Sequence, residues 1–293
     1  MSKSKEPLRL DVRTTYRLFI DGDFVRSESE RSEAVAGDDA VRVARASRQD
    51  LRNAVAAARR AFDEWSGATP LARGEVLYRL AEALDARRAQ LIERLRAGAK
   101  ADETEAAREA DAAIDRALWY AGWCDKYAAV VSGTAPRSAP YAIAARPEPI
   151  GVVAALAPDA PSLLGLVSAV VPPLVSGNTA VVLASETDPR TAVAFAECVA
   201  AAGVPRGVLN VLTGRRIELA PQLAKHPDVA ALHAFALDEP FAAELTRMAA
   251  DDLKLCRILP AFSQAEWFSS EALDPDNVVA FTALKTVWQP ALI

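Results

Sequence analysis

The chain has 293 residues, and its 34 Lys and Arg against 39 Asp and Glu give a formal net charge of −5 at pH 7. Hydrophobic residues make up 51% and charged residues 25%, a composition that is typical of a folded globular protein and excludes extensive disorder. The acidic balance argues against a surface that binds nucleic acid or an anionic membrane.

The first region, up to about residue 131, is predicted to hold a hairpin followed by helices. Apolar residues alternate around Asp21-Gly22, a pair that favours a tight turn. Ser47 and Asp50 have capping-box spacing, and Thr69 precedes a proline at the favoured first helical position. We therefore expect a hairpin over Tyr16–Val25 and helices beginning at Ser47, beginning at Pro70 and extending to Leu95, and spanning Ala106–Val131.

The region from residue 138 onward is predicted to form an arm and then a parallel sheet. Residues 138–149 are too rich in proline for a central strand and suggest an extended arm. Continuous apolar runs then alternate with helical segments, which indicates strands buried on both faces and joined by right-handed crossovers. The predicted strands are 151–157, 179–183, 208–212, 229–235 and 254–259, and the predicted helices are 163–171, 190–202, 219–225 and 239–250. The fold class is therefore α/β, with a doubly wound, mostly parallel Rossmann-like sheet, N-terminal helices and a protruding arm.

One uncharged stretch, from Ala160 to Ser185, is long enough to be mistaken for a membrane span. Pro172-Pro173 interrupts it, and residues 176–179 interrupt it again. We interpret it as a buried helix, a turn and a buried strand.

The cysteines and histidines do not predict a metal or nucleophilic site. Cys124, Cys198 and Cys256 are widely separated and odd in number, which favours reduced thiols in the cytoplasm. The polar start of the chain does not resemble a secretory signal. His226 and His233 have no neighbouring partner in sequence, and we interpret them as structural residues.

Ligands of a doubly wound sheet bind beyond the carboxyl ends of its strands. The corresponding segments contain neither a G-x-G-x-x-G motif nor a P-loop. Asp238 and Glu239 suit the start of a helix, but their charges would repel a phosphate there. The segments to inspect are 158–162, 184–187, 213–218, 236–240 and 260–264.

The order of several motifs resembles the N-terminal half of the aldehyde dehydrogenase superfamily. They are Leu18-Phe-Ile-Asp-Gly-Asp-Phe-Val25, Tyr120-Ala-Gly-Trp-Cys-Asp-Lys126, Arg146-Pro-Glu-Pro-Ile-Gly-Val-Val153, Gly177-Asn-Thr179, Gly203-Val-Pro-Arg-Gly-Val-Leu-Asn-Val-Leu-Thr-Gly214 and His226-Pro-Asp-Val229. The resemblance implies an NAD-binding-type domain over 1–137 and 150–262, interrupted by an oligomerisation arm over 138–149. It also implies that the tail, 263–293, ends where the catalytic domain of the family would begin.

Several positions depart from the family pattern, and these departures predict a chain without catalytic residues. Ala160 stands where the family has an oxyanion-binding Asn, Leu183 where it has a ribose-binding Lys, and Ala220 where a Gly opens the adenine pocket. Glu186, the other ribose-binding residue, is retained. Phe235-Ala-Leu237 replaces Thr-Gly-Ser, Leu259-Pro-Ala-Phe262 replaces the segment with the general base, and no cysteine follows Cys256. We expect NAD(P) binding to be weak or absent, with Glu186 a vestigial contact, and no aldehyde oxidation by the chain alone.

Three functions remain open at this point. The favoured one is an inactive subunit that assembles with or regulates an active full-length NAD(P)-dependent aldehyde dehydrogenase. The alternatives are a nucleotide-binding sensor that uses Glu186 and an aldehyde oxidoreductase whose site is completed in trans. We expect a homo- or hetero-oligomer with a full-length aldehyde dehydrogenase through residues 138–149, with Tyr141 and Ile143 at the contact. The expectation rests on an arm without a C-terminal strand to cover it and on an uncovered ligand-facing end of the sheet.

Overall fold

The computed structural model describes residues 14–35, 38–99, 102–134 and 141–290. Its strands are β1 (Thr14–Tyr16), β2 (Leu18–Ile20), β3 (Asp23–Val25), β4 (Ser32–Val35), β5 (Asp38–Ala44), β6 (Gly133–Thr134), β7 (Tyr141–Pro149), β8 (Val152–Leu156), β9 (Thr179–Leu183), β10 (Leu209–Leu212), β11 (Val229–Phe235), β12 (Leu255–Leu259) and β13 (Thr282–Pro290). Its helices are α1 (Arg48–Gly67), α2 (Pro70–Ala86), α3 (Arg88–Ala99), α4 (Glu103–Ala121), α5 (Tyr127–Val131), α6 (Ser162–Val175), α7 (Pro189–Ala201), α8 (Arg216–Ala224), α9 (Glu239–Ala250), α10 (Gln264–Trp267) and α11 (Asp276–Val279). None of the helices in these ranges is long and apolar enough to cross a membrane.

The largest sheet has seven strands in the order β12-β11-β8-β9-β10-β2-β3. The five strands from β8 to β12 run parallel, and β2 joins β10 antiparallel. Every residue of β8 is buried, because alternate side chains face different helix layers. Val152 and Ala154 pack with residues of α1, α8 and α9, whereas Ala155 packs with residues of α6 and α7. The predicted doubly wound, mostly parallel sheet is confirmed.

The local signals near the N-terminus produce the predicted turns and helix starts. Asp21 and Gly22 have φ angles of 52° and 78°, the left-handed pair that a two-residue hairpin turn requires. Ser47 Oγ accepts a hydrogen bond from Asp50 N at 3.2 Å, and Asp50 Oδ2 accepts one from Ser47 N at 2.7 Å. Thr69 Oγ1 caps α2 through Ala72 N at 3.2 Å.

Two of the predicted helices are shorter than their apolar patterns suggested. The helix expected to reach Leu95 divides at Arg87, whose Nη1 donates to Glu197 Oε2 of α7 at 2.8 Å. The helix expected to reach residue 131 ends with a cap at Gly122, where a Cβ would lie 3.2 Å from Tyr78 Oη. Side-chain periodicity continues across both breaks because the flanking helices pack against the same core.

The proline pair in the uncharged stretch lies inside a helix, contrary to expectation. α6 continues through Pro172 and Pro173 to Val175. Proline has no N–H, so Pro173 cannot donate the helical hydrogen bond to the carbonyl of Ala169. His233 Nδ1 of β11 lies 2.9 Å from that carbonyl and donates to it. Because burial lowers the pKa of His233 to about 4, the ring is neutral and replaces the missing donor without adding a charge.

Residues 141–149 of the predicted arm form a paired strand, whereas residues 138–140 lie outside the described part of the chain. β7 pairs antiparallel with β13 from Tyr141–Pro290 to Pro149–Thr282, and β6 pairs with β7 at Ala144 and Ala145. The expectation that the chain has no strand to cover the arm is therefore wrong, because residues 282–290 cover it. β7 is the middle strand of this sheet. Its prolines are compatible with that position because β6 pairs only with Ala144 and Ala145, and not with Pro147 or Pro149.

The segment 264–281 lies against the main sheet before β13 begins. Trp267 packs on Phe235, the last residue of β11, with 5.3 Å between ring centroids. Phe281 is fully buried, and its carbonyl accepts a hydrogen bond from Asn178 Nδ2 at 2.8 Å. The expectation of an uncovered carboxyl end is therefore wrong at β11, since the chain's own aromatic residues cover it.

Candidate functional site

The segments expected to bind ligands do converge on one edge of the sheet. The loops after β8, β9, β10 and β11 span 157–161, 184–188, 213–215 and 236–238. Strand order reverses beside β8, because β9 lies on one side of it and β11 on the other. Such a reversal is where doubly wound sheets bind dinucleotides. This edge is therefore the candidate site.

Glu186 lies at this edge, but its carboxylate is engaged by the chain itself. Its Oε1 accepts a hydrogen bond from Arg216 N, the first backbone N–H of α8, at 2.5 Å. A carboxylate at a helix N-terminus is stabilised by the helix dipole. Glu186 thus occupies the general position of a ribose-binding acid while it caps a neighbouring helix.

Asp159 joins three segments of the same edge. Its Oδ1 accepts hydrogen bonds from Glu186 N at 2.8 Å, from Ser185 Oγ at 3.2 Å and from Arg216 Nη2 at 3.3 Å. Arg216 Nη2 also donates to the carbonyl of Ala157, at the end of β8, at 2.8 Å. The Arg216 side chain is only 13% exposed, so its guanidinium lies across the strand ends rather than in solvent.

The helix that follows β8 also has its N-terminus occupied. Glu109 Oε1, from α4, accepts hydrogen bonds from Leu163 N at 2.8 Å and Leu164 N at 3.3 Å. Burial, and to a lesser extent the nearby Asp188 carboxylate, raise the pKa of the Glu109 carboxyl. A phosphate at this helix start would have to displace Glu109 from both N–H groups.

Sequence reasoning missed Asp159, Arg216 and Glu109 as the groups that organise this edge. One local signal pointed to Arg216. Cations are unfavourable at a helix N-terminus, yet Arg215 and Arg216 begin α8. Such a conflict indicates that carboxylates from elsewhere neutralise them. No comparable signal marks Glu109, since its partners lie 54 and 55 residues away.

The residues at family-matched positions take part in packing. Leu183 and Ala220 are buried together in the apolar layer that includes α8. Phe262, in the segment matched to the general base, packs on Trp267 with 5.2 Å between ring centroids. The absence of catalytic residues at the matched positions stays a prediction.

The three thiols of the sequence are poorly suited to nucleophilic attack. Burial raises the pKa of Cys124 to about 12 and that of Cys198 to about 11. Cys256 is half-buried, and burial raises its pKa as well. All three thiols are therefore protonated at neutral pH, whereas the reactive form of a cysteine is the thiolate.

A surface cavity of about 350 Å³ opens beside Glu186. Its two arginines are paired with carboxylates: Arg45 Nη1 lies 3.0 Å and Arg215 Nε 3.3 Å from Glu33 Oε1. Arg45 also pairs with Glu218. The positive charges of this cavity are thus already balanced.

Comparison with known proteins identifies the family. The family model described as the aldehyde dehydrogenase family matches residues 24–257. The chain belongs to the aldehyde dehydrogenase family. Cytosolic 10-formyltetrahydrofolate dehydrogenase of Xenopus tropicalis is 34% identical over 238 residues, which are 77% of this chain and 26% of that protein. Betaine aldehyde dehydrogenase of Bacillus subtilis is 33% identical over 221 residues, 72% of this chain and 44% of that protein. The chain thus spans less than half the length of these aldehyde dehydrogenase relatives.

Solved aldehyde dehydrogenase structures share the fold. An NAD-dependent aldehyde dehydrogenase from Sinorhizobium meliloti matches with a TM-score of 0.78 and 26% identity, covering 88% of this chain and 52% of that chain. Betaine aldehyde dehydrogenase from Staphylococcus aureus, in complex with NAD⁺, matches with a TM-score of 0.78 and 23% identity, covering 83% and 49%. The predicted fold class is confirmed by these similarities.

The aldehyde dehydrogenase fold implies a nicotinamide dinucleotide at this edge, but the residues present do not fit one. Glu186 is engaged with α8, and Glu109 fills the start of α6. The Asp159 carboxylate and the Arg216 guanidinium lie between them. A dinucleotide needs free N–H donors for its phosphates and a free carboxylate for its ribose.

Proposed function

We propose that this chain is a non-catalytic member of the aldehyde dehydrogenase family that assembles with an active full-length NAD(P)-dependent aldehyde dehydrogenase, or regulates it. The observation that carries the proposal is an exposed apolar face on the sheet formed by β6, β7 and β13. Protonated thiols and the substitutions at matched positions support the absence of catalysis.

The arm face, as it is named here, consists of the exposed side chains of Tyr141, Leu284 and Trp288 and the half-buried side chain of Ile143. Ile143 lies directly opposite Trp288, and Pro147 lies directly opposite Leu284, so these side chains share one side of the sheet. Trp288 is 59% and Leu284 57% exposed, and Tyr141 packs edge-on against Trp288 at 6.3 Å. A contiguous apolar surface of this kind on a protruding sheet favours a protein partner.

The opposite side of the same sheet is charged. Arg146 Nη2 lies 3.2 Å from Glu148 Oε1, and Lys285 Nζ lies 3.2 Å from the same oxygen. The sheet is therefore amphipathic, although both of its sides are largely exposed. A small sheet of this kind gains stability when its apolar side packs against another surface.

The test is association with a full-length aldehyde dehydrogenase from the same organism, measured by co-purification and by size-exclusion chromatography with light scattering. The double variant Leu284→Ser, Trp288→Ser should lose association, because the centre of the arm face becomes polar. Lys285→Ala, on the charged side, is the matched control and should associate like the natural chain. Equal association of all three proteins, or a natural chain that stays monomeric beside the full-length enzyme, contradicts the proposal.

A cytoplasmic location belongs to the same proposal. The three cysteines are unpaired, as expected in a reducing compartment. Both cytosolic and mitochondrial 10-formyltetrahydrofolate dehydrogenases are among the relatives. Fractionation of cells that express the chain should recover it in the cytoplasmic fraction.

A further inference from the structure

Three residues at the carboxyl edge of the sheet hold one another in place through backbone and side-chain hydrogen bonds, and we name them the strand-end lock: Asp159, Glu186 and Arg216. The backbone N–H of Arg216 binds Glu186, and the Arg216 guanidinium binds Asp159. The loop is closed by the bond from Glu186 N to Asp159. The lock ties the segments after β8 and β9 to the first residue of α8.

Arg216 supplies the positive charge of the strand-end lock. Asp159 and Glu186 are two carboxylates on adjacent loops, and Arg216 is the cation that bonds to Asp159 and to the end of β8. Its Nε is buried with no hydrogen-bond partner in the part of the chain that the structure describes. Its Nη2 donates both to Asp159 and to the carbonyl of Ala157, and these two bonds hold the guanidinium in position.

The lock lies where a dinucleotide would make contact with a doubly wound sheet. The acid after the second parallel strand normally binds a ribose hydroxyl, and the turn after the first strand normally approaches the phosphates. Here Glu186 is that acid and Asp159 lies in that turn. Glu109 adds a carboxyl at the start of α6, which removes two further N–H donors.

We infer that Arg216 is an internal substitute for a bound ligand, and that the strand-end lock keeps nicotinamide and adenine nucleotides out of this edge. The inference concerns the chain alone and holds whether or not the arm face binds a partner. It differs from a simple loss of binding contacts, because it assigns exclusion to the Asp159 carboxylate and the Arg216 guanidinium, which are present and can be removed by substitution.

The experiment titrates ADP and NAD⁺ into the natural chain and into the variant Asp159→Asn, Arg216→Ala by isothermal calorimetry. This variant loses one negative and one positive charge, so the net charge is unchanged while the guanidinium that bonds to Asp159 and to the carbonyl of Ala157 is removed. The backbone N–H of residue 216 remains, so the hydrogen bond to Glu186 is retained and the variant isolates the Asp159–Arg216 pair. We expect no binding to the natural chain up to about 1 mM, and at least about tenfold tighter binding of ADP to the variant. Arg215→Ala is the matched control, because Arg215 is the exposed neighbour that pairs with Glu33. It should bind no more ADP than the natural chain.

Two results would overturn the inference. One is a dissociation constant below about 100 μM for NAD⁺ or ADP with the natural chain. The other is a folded double variant, with unchanged circular dichroism, that binds no more ADP than the natural chain.

If the double variant does not fold, a second measurement tests whether the strand-end lock excludes nucleotides. Hydrogen exchange of the natural chain should show slow exchange in the first turn of α8 and no added protection over 184–188 and 213–216 at about 1 mM ADP. Added protection in those segments means that the lock admits the nucleotide. Arg216→Lys retains the positive charge and should, like the natural chain, bind no ADP. If Arg216→Lys binds ADP while the natural chain does not, the role assigned to Arg216 is also refuted.

Discussion

Replacing Asn178 with alanine should loosen the attachment of the C-terminal segment to the main sheet. The Asn178 side chain is fully buried and joins three parts of the fold. Its Oδ1 accepts from Ile150 N at 2.8 Å and Gly151 N at 3.0 Å, just before β8. Its Nδ2 donates to Phe281 O at 2.8 Å, just before β13, and to Ser176 Oγ at 2.9 Å. This one amide therefore joins the start of β8 and the start of β13 at a single buried point.

The magnitude follows from the groups left without a partner. Alanine removes the acceptor of two backbone N–H groups and the donor to one backbone carbonyl. Each such buried group costs about 1–3 kcal/mol, so the loss should be at least about 3 kcal/mol. That corresponds to an unfolding constant raised roughly 100-fold, a large part of the stability of an ordinary domain.

The assay is urea unfolding combined with hydrogen exchange of peptides from β7 and β13. Asn178→Asp is the informative second variant, because it keeps the acceptors for Ile150 and Gly151 but loses the donor to Phe281. It should increase exchange in β13 more than in β8. Asn53→Ala is the control: Asn53 is exposed on α1 and should change stability by less than about 0.5 kcal/mol. An Asn178→Ala chain that unfolds within about 0.5 kcal/mol of the natural chain, with unchanged exchange in β13, refutes the reasoning.

Two further predictions concern titration and reactivity. Burial lowers the pKa of His233 from 6.5 to about 4, so the unfolded chain binds the proton at a higher pH than the folded chain does. The free energy of unfolding should therefore fall by roughly 3 kcal/mol as the pH drops from about 6.5 to about 4. His233→Gln, which keeps a donor for the carbonyl of Ala169, should have a flatter profile in urea unfolding between pH 7 and pH 4.5, and parallel profiles would contradict the assignment. Cys124 and Cys198, with pKa values of about 12 and 11, should resist iodoacetamide at neutral pH, while half-buried Cys256 is alkylated first. Mass spectrometry of time points checks the order, and early labelling of Cys124 would refute it.

The sequence by itself determined the elements whose causes are local. The turn at Asp21-Gly22 needs only two residues that tolerate a left-handed backbone. The starts of α1 and α2 need only a capping side chain within three residues of the helix end. Continuous apolar runs such as β8 and β9 identify strands buried on both faces, because no other part of a parallel sheet excludes polar residues so fully. These signals were sufficient for the fold class and for the edge at which the candidate site lies.

The tertiary structure decided whatever depends on a partner far away in sequence. β13 pairs with β7 although more than a hundred residues separate them in sequence, and no pattern in either strand identifies the other as its partner. α6 passes through Pro172-Pro173, and His233, on a different strand, supplies the donor that Pro173 lacks. Glu186 has the residue type and position of a nucleotide contact, yet its carboxylate accepts from the backbone N–H of Arg216 while its own backbone N–H donates to Asp159. A side chain's chemistry can be read from its identity, but its function depends on which hydrogen bonds it has already made, and only the folded chain sets those.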